Sequence, residues 1–374
     1  MATLKAIFSN MTRKKLPLGY LLSLIISVLL ALLVGALIML FSGHDPINGY
    51  MALIRGAFGS ERTMADTLAK SATLCLTGLA MAVAAQAGIF NVGGEGQLYL
   101  GAIASGAVGG MLNGHSPILV IPIALLSAIL AGGLYALIPA WLKVKLKVNE
   151  VITTIMLNSA ALYLCSFLAT GPLKTTERGI SSGTVKLDPA FIFPKLVRLS
   201  NLTVSIFLSA GIAFFVWYLM KKTTVGFEMK LTGENERFAR YTGIKTGKLA
   251  LWSMVLSGAI CGLVGMFEVY GIHRRFVESV SKEFYYDGML VAMIMRYDPV
   301  GIILMSLFFG VLKIGATGME QVGIPSETIL IVQSIIIFFM AAENGISESL
   351  RARLSLRRAK KAAADTVRKA ANHG

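Results

Sequence analysis

Residues 96–142 read GQLYLGAIASGAVGGMLNGHSPILVIPIALLSAILAGGLYALIPAWL and contain no Asp, Glu, Lys or Arg. A helix that spans a membrane needs about 20 apolar residues, so this stretch is long enough for two spans joined by the polar turn at 113–117. Further uncharged runs, each about as long as one span, occupy residues 16–42, 71–94, 151–173 and 249–267. The sequence therefore predicts an all-α, polytopic membrane helical bundle.

The composition agrees with a membrane protein and excludes the soluble enzyme classes. Of the 374 residues, 55% are hydrophobic and 15% are charged, against about 25% charged in soluble domains. The net charge of +15 comes from Lys and Arg clusters between the apolar runs, which is typical of cytoplasmic loops rather than of a nucleic-acid-binding face. The sequence has no Walker A motif and no metal-ligand spacing, so we expect no ATP hydrolysis and no metal site on this chain.

The apolar runs and the basic loops together predict the topology. We predict ten spans, or eight if two short segments do not cross, with both termini in the cytoplasm. The two short segments are 288–295 and 299–312, each below the length of a full span, and 274–284 is interpreted as interfacial. Residues 346–374 form a basic cytoplasmic tail. The other predicted spans are 16–42, 64–86, 88–111, 118–142, 151–170, 201–220, 249–270 and 324–342.

Small residues at helical spacing predict where helices approach each other closely. Gly101, Ser105 and Gly109 recur every four residues, as do Gly258 and Gly262, and such residues allow close packing in membranes. The three cysteines lie inside apolar runs without CxxC spacing, so we expect buried side chains rather than a redox or metal site. These cysteines are Cys75, Cys165 and Cys261.

An isolated carboxylate in a glycine-rich segment is the first candidate for function. Glu95 lies in the sequence GIFNVGGEGQ at 88–97, with no Lys or Arg nearby. An ionisable group inside an apolar stretch is expected to face a cavity or a partner, and the glycines weaken helix formation. We predict a substrate pathway in which Asn91, Glu95 and Gln97 offer hydrogen bonds to a polar, uncharged solute. The alternative is a cytoplasmic hairpin with a solvated Glu95.

A polar stripe on the fifth predicted span is the second candidate. Glu150, Thr154 and Asn158 recur every four residues and therefore share one face of a helix. The stripe predicts either a lining of the same pathway or hydrogen bonds between helices, and the sequence leaves both open. Glu268, near the end of the seventh span, is interpreted as a solvated helix end, with the outer mouth of a pathway as the alternative.

The polar loop at 226–244 contains an amphipathic pattern of its own. We predict a break at Gly233, a short helix over 234–241 and a stop at Gly243. The aromatic side chains of this short helix suit a groove on another protein, and a helix on the membrane surface is the alternative. The residues predicted to form this docking segment are Gly233, Glu234, Asn235, Phe238 and Tyr241.

Three stretches resemble the permease subunits of bacterial ABC importers for nucleosides and simple sugars, within the broader group of branched-chain amino-acid and ribose permeases. They are FNVGGEGQ at 90–97, VNEVITTIMLN at 148–158 and TGENERFARYTGI at 232–244, and the resemblance extends over residues 20–345. The first two are similar to the longer permease of nucleoside importers in particular. Members of the family usually carry Leu-Gly before a late Pro-x-Gly, whereas this chain has MIMRYDPVG at 293–301, which leaves the substrate open.

The resemblance implies a transport subunit, not an enzyme, that works by alternating access in the bacterial cytoplasmic membrane. Residues 1–345 would form the permease domain, and the cytoplasmic loop 221–248 would carry a coupling helix that docks on an ATPase. The implied partners are an ATP-binding subunit that holds ATP and Mg, a second paralogous permease, a substrate-binding lipoprotein and a nucleoside. We expect the chain itself to hold no cofactor, to lie in the lipid bilayer and to bind no nucleic acid.

Two alternatives stay open at the level of the sequence. Within the ABC class, simple sugars or branched-chain amino acids are alternative substrates, because a sugar asks for nearly the same polar groups as a nucleoside. An ion-coupled secondary transporter is a different class, which would need Glu95 or Glu150 as its cation or proton site. That class would leave the amphipathic loop at 226–244 unexplained.

Overall fold

A computed structural model describes residues 18–177, 182–325 and 327–338, with side chains from residue 28 onward. The described chain is built from helices, and no β-strand occurs within it beyond one isolated bridge. The helices are α1 Leu18–Phe41, α2 Pro46–Phe58, α3 Glu61–Gln86, α4 Gly94–Met111, α5 Pro117–Leu146, α6 Glu150–Thr170, α7 Ser205–Lys222, α8 Thr224–Glu234, α9 Glu236–Tyr241, α10 Thr246–Glu268, α11 Phe284–Ile294, α12 Pro299–Gln321 and α13 Glu327–Phe338.

Six of the described helices are long and apolar enough to cross a membrane, namely α3, α5, α6, α7, α12 and α10 with its π-helical extension to His273. The number rises to seven if α1 and α2, which meet at a bend of 118°, count as one span. The chain is therefore a multi-pass helical membrane protein, as predicted. The predicted total of ten spans is not confirmed by this count.

The predicted boundary of α12 is wrong, and a partly buried ion pair explains why. The sequence suggested a segment too short to cross, ending before Lys313, whereas α12 runs for 23 residues from Pro299 to Gln321. Within it, the Lys313 ammonium lies 2.8 Å from a carboxylate oxygen of Asp287 on α11. Because this partner offsets part of the cost of removing the charge from water, the helix continues past the lysine.

The start of α4 also differs from the prediction. The third span was expected from residue 88, but α4 begins at Gly94. Gly88 has φ +79°, a left-handed conformation that glycine adopts without the steric cost of a side chain. We call the non-helical residues 87–93 between α3 and α4 the elbow.

The described residues divide into two compact units, one that contains residues 18–51 and those described from 319 to 338, and one that contains those described from 52 to 318. In the first unit, the Tyr50 hydroxyl donates to the Leu32 carbonyl at 2.6 Å. In the second unit, α10 packs against α3, α4 and α5. The helices α3 and α10 are largely buried, whereas α5, α6 and α7 leave most of their surface uncovered. All three cysteines are free and buried, which confirms that prediction.

Small residues hold α4, α5 and α10 at close range. A methyl group added to Gly101 on α4 would collide with the backbone of Gly262 on α10, and one added to Gly132 on α5 would collide with the backbone of Gly258. Backbones that approach so closely gain van der Waals contact where lipid provides no hydrophobic driving force between helices. The predicted packing role of Gly101, Gly258 and Gly262 is confirmed.

We expect Gly262→Leu to prevent the second unit from folding. A side chain there meets the backbone of Ala128 and Gly132, and overpacking of a tight site costs about 1–3 kcal/mol or more. Gly211→Leu is the matched control, because an added Cβ at Gly211 has nothing within 4 Å. Quantitative blotting of membranes should show Gly262→Leu nearly absent and Gly211→Leu at the parent level. Equal amounts of both would contradict this packing argument.

Candidate functional site

The elbow places two side-chain amides face to face. The Asn91 amide donates to the Gln97 side-chain oxygen at 2.9 Å, and the Gln97 amide donates back at 3.2 Å. The Asn91 Nδ2 also donates to the Ser257 hydroxyl on α10 at 2.9 Å, while its Oδ1 accepts the Gly93 N–H at 3.0 Å. Asn91 and Gln97 are both buried. Their hydrogen bonds fix the elbow against α4 and α10.

Glu95 lies in the first turn of α4 and is 5% exposed. A carboxylate at this position interacts favourably with the N-terminal end of the helix dipole. Its Oε2 accepts the backbone N–H of Tyr285 at the start of α11, at 3.0 Å. The alternative in which Glu95 is solvated is therefore wrong, because the side chain is enclosed by protein.

Tyr285 is the residue at this site that the sequence did not reveal. Its side chain is fully buried, and its hydroxyl donates to the Asn91 carbonyl of the elbow. A methyl group added to Gly94 would fall inside the Tyr285 ring, so only glycine leaves room for the ring there. Two glycine-containing segments of the sequence, 88–97 and 286–288, could have indicated this contact. The structure brings the first segment against Tyr285, which directly precedes the second.

The polar stripe on α6 divides into two parts. Asn158 joins the elbow, because its Oδ1 accepts the Gly96 N–H at 2.8 Å and its Nδ2 donates to the Val92 carbonyl at 2.8 Å. Thr154 is fully buried and donates to the Glu150 carbonyl one turn earlier at 2.7 Å. Glu150 does not reach the elbow, since its carboxylate pairs with Lys143 of α5 at 2.6 Å.

The four predicted pathway residues around the elbow therefore form one buried network, which consists of Asn91, Glu95, Gln97 and Asn158. In this conformation their hydrogen bonds run to protein groups. Such a network is rigid when every member is satisfied. That these residues line a solute pathway stays a prediction.

The predicted docking segment is a short helix with caps at both ends. The Asn235 side chain accepts the Phe238 N–H at 3.0 Å, which satisfies a free donor at the start of α9. Gly243 ends the turn after α9 with φ +89°. Phe238 is 52% exposed and Tyr241 is 91% exposed. The break lies at Asn235, not at Gly233 as predicted, because Gly233 and Glu234 belong to α8.

Gly233 instead connects this segment to the elbow. A methyl group added to Gly233 would lie 2.5 Å from the Gln86 carbonyl oxygen at the end of α3. One added to Gly88 would lie 3.5 Å from the Gly233 Cα. The last turn of α8 thus contacts both the end of α3 and the first residues of the elbow.

A second polar region lies near the other end of α3. Glu268 is 5% exposed, and the Thr73 hydroxyl donates to its Oε1 at 3.1 Å, so the interpretation as a solvated helix end is wrong. The Lys70 ammonium lies over the Phe284 ring, 3.5 Å from its centroid, in a cation–π contact. Lys70 lies at the edge of an uncharged run in the sequence, so the sequence did not single it out as a candidate for function.

Comparison with known proteins identifies the family. The family described as the permease component of branched-chain amino acid transport systems matches residues 63–341. The guanosine ABC transporter permease NupP of Bacillus subtilis is 36% identical over 88% of this chain and 95% of its own length. The nucleoside permease NupB of Lactococcus lactis is 35% identical over 90% and 93%. The glucose permease TsgB13 of Haloferax volcanii is 30% identical over 84% and 86%.

Two further relatives are second permeases from two of the same organisms. NupQ of Bacillus subtilis is 26% identical over 65% of this chain and 78% of its own length, and NupC of Lactococcus lactis is 27% identical over 66% and 79%. No solved structure matches the chain. The chain therefore belongs to the permease family of branched-chain amino acid transport systems, and it is a membrane-spanning transport subunit of an ABC transporter rather than an enzyme.

Proposed function

We propose that this chain imports nucleosides across the bacterial cytoplasmic membrane as one half of a permease heterodimer. The names of NupP and NupB, which match most of the chain, support a nucleoside as the solute. The occurrence of NupP with NupQ and of NupB with NupC supports a second, paralogous permease as the partner. The neutral amides around the elbow suit a neutral solute with hydroxyl and amide groups.

The observation that carries this proposal is the capped α9 with its contact to the elbow. Phe238 and Tyr241 expose aromatic surface on a helix held by Asn235 and Gly243. Such a helix fits a groove on another protein, and we assign the groove to an ATP-binding subunit that holds ATP and Mg. Movement of α9 reaches the elbow through Gly233 and Gly88, which lie in contact.

We further propose ten membrane passes with both termini in the cytoplasm. The loop 221–248 is then cytoplasmic, residues 1–345 form the permease domain, and the basic tail 346–374 lies outside the described residues. The ion pair between Lys221 and Asp298, 2.5 Å apart, supports a cytoplasmic position for the turn between α11 and α12.

For the pathway we propose that Asn91, Glu95, Gln97, Thr154 and Asn158 border the inner half of the solute route. Glu150 contributes through its ion pair with Lys143, which fixes the start of α6 to the end of α5. The elbow changes its hydrogen bonds when α9 moves. Groups that bond to protein in one state are then available to the solute in another.

The direct test is purification of the tagged chain in mild detergent, with identification of every protein that copurifies. We expect an ATP-binding subunit, a second permease and a lipoprotein. The ligand of that lipoprotein, measured by equilibrium binding with guanosine, glucose and leucine, then identifies the solute. Glucose or leucine binding without guanosine binding would contradict the nucleoside assignment.

Energy depletion separates this proposal from an ion-coupled transporter. Uptake of labelled guanosine in cells should stop when ATP is depleted and should persist when the proton gradient is collapsed at constant ATP. The opposite result, together with recovery of the chain alone, would exclude the ABC mechanism.

A further inference from the structure

A separate cavity of about 250 Å³ lies within the second unit, between α3, α7, α10 and the start of α11. Its volume is close to the lower end of the range for small-molecule sites, about 300 Å³. None of the residues assigned to the elbow lines it. Polar and aromatic side chains both line the cavity, and they include Lys70, Thr73, Ser209, Phe267, Glu268 and Phe284.

The charges that line this cavity balance. Asp66 and Glu268 supply two carboxylates, and Lys70 and Lys282 supply two ammonium groups. A cavity with a net charge would retain an ion of opposite sign, whereas a balanced one offers hydrogen bonds of both kinds to a neutral molecule. The lining therefore suits a neutral solute that carries both donors and acceptors.

The Lys70 ammonium and the Glu268 carboxylate attract each other, but each of them is in direct contact with another group. Thr73 donates to Glu268, and Lys70 lies on the ring of Phe284. Within the described part of the chain, Lys70 and Glu268 interact at a distance and form no direct ion pair. Buried charges are normally paired, since leaving them apart is costly. A ligand that accepts a hydrogen bond from Lys70 and donates one to Glu268 would satisfy the hydrogen-bonding capacity of both groups.

Aromatic and apolar side chains form the rest of the wall. Phe267 and Phe284 line the cavity together with Leu76 and Ile206. A heterocyclic base packs well on such surfaces and carries adjacent N–H donors and carbonyl acceptors on its edge. A simple sugar has hydroxyls but no aromatic ring to place against them.

The cavity and the elbow meet at consecutive residues. Phe284 lines the cavity, and Tyr285 forms hydrogen bonds with Asn91 in the elbow and with Glu95 in the first turn of α4. The residues Asp66, Asn201 and His273, which belong to helix ends and a loop on the predicted outer side, also line the cavity. A solute in the cavity thus lies between the outer surface and the elbow.

We propose that this cavity is a binding site for a nucleoside on the outer half of the permease. Glu268 accepts hydrogen bonds from the N–H edge of the base, Lys70 donates to a carbonyl on it, and Phe284 packs against the ring. The identity of the ligand rests on the proposed function, whereas the existence of the site rests on the cavity itself.

Protection of an introduced cysteine tests the site in the assembled transporter. The native cysteines are buried, whereas Ser205 lines the cavity and is partly exposed, so Ser205→Cys provides one reactive thiol in the cavity. In intact cells, a membrane-impermeant maleimide should label this thiol, and guanosine should slow the labelling about tenfold or more, whereas ribose and leucine should not. Ser116→Cys, exposed before α5 and outside the cavity, is the matched control and should be labelled at the same rate with and without guanosine.

A second variant separates binding from a structural effect. In the Ser205→Cys protein, Glu268→Gln should raise the guanosine concentration for half-protection by about tenfold or more, because a hydrogen bond to a charged group is lost. Glu61→Gln, exposed at the start of α3, should leave that concentration unchanged.

The outcomes distinguish this inference from the proposed function. If cells take up guanosine but Ser205→Cys is not labelled, or is labelled equally with and without guanosine, the cavity is not the site and the importer assignment stands. An unchanged half-protection concentration in Glu268→Gln would also exclude the assigned role of the carboxylate. If ribose or leucine protects in place of guanosine and guanosine uptake is absent, the nucleoside assignment itself fails.

Discussion

A transporter in which Phe238 and Tyr241 are both alanine should hydrolyse ATP without taking up its solute. Both side chains are exposed on α9, at 52% and 91%, and buried aromatic anchors of protein interfaces each contribute about 2 kcal/mol or more. Their loss should weaken docking of the ATP-binding subunit enough to break the mechanical link to the elbow. Uptake of labelled guanosine should fall to background, while ATPase activity in the same membranes persists and no longer responds to the binding protein.

The control for this double variant is a matched pair of aromatic residues on another helix. Phe214 and Tyr218 stack on α7 and are 64% and 50% exposed, but they belong to a helix long and apolar enough to span the membrane and not to α9. Alanine at both positions should leave uptake and ATPase coupling near the parent values. If the α9 variant also assembles and couples normally, the docking role of α9 is wrong and a membrane-surface helix becomes the better interpretation.

The lengths of the uncharged runs predicted most of the helices, because a helix that spans the bilayer needs about 20 apolar residues. The spans at 118–142, 151–170 and 249–270 appear as α5, α6 and α10 with ends shifted by a few residues. The prediction from uncharged runs is wrong where a charged residue lies inside a helix. The predicted segment ended before Lys313, but the ion pair of Lys313 with Asp287 keeps this lysine within α12. No local sequence pattern indicates that a residue has an ion-pair partner on another helix.

The site was predictable only in part, for a related reason. Asn91, Glu95 and Gln97 stand out as polar residues in an apolar run, and they do share one network with Asn158. Tyr285 does not stand out, because a tyrosine at a helix start is common and its role depends on the room left by Gly94. Lys70 and Glu268 each lie at the edge of an uncharged run, so their meeting in one cavity depends on how α3 packs on α10.

Glu95→Ala should abolish most transport while the protein still inserts in the membrane. Alanine removes the acceptor of the Tyr285 N–H, which is buried, and an unsatisfied buried donor costs about 1–3 kcal/mol. That cost falls on the contact between the start of α4 and the start of α11, not on the apolar spans that drive insertion. We therefore expect guanosine uptake to drop about tenfold or more at an unchanged amount of protein in the membrane, measured by transport assay and blotting of the same cells.

Glu95→Gln distinguishes the carboxylate's hydrogen bond from its charge. Glutamine keeps an oxygen that can accept the Tyr285 N–H, so a role confined to this hydrogen bond predicts near-normal uptake in Glu95→Gln and a loss only in Glu95→Ala. A role along the solute pathway predicts that both variants lose uptake, because glutamine replaces one acceptor by a donor. Tyr285 packs against Gly94, the residue before Glu95, so we expect both variants to lose uptake. Normal uptake in both variants would exclude Glu95 from the pathway.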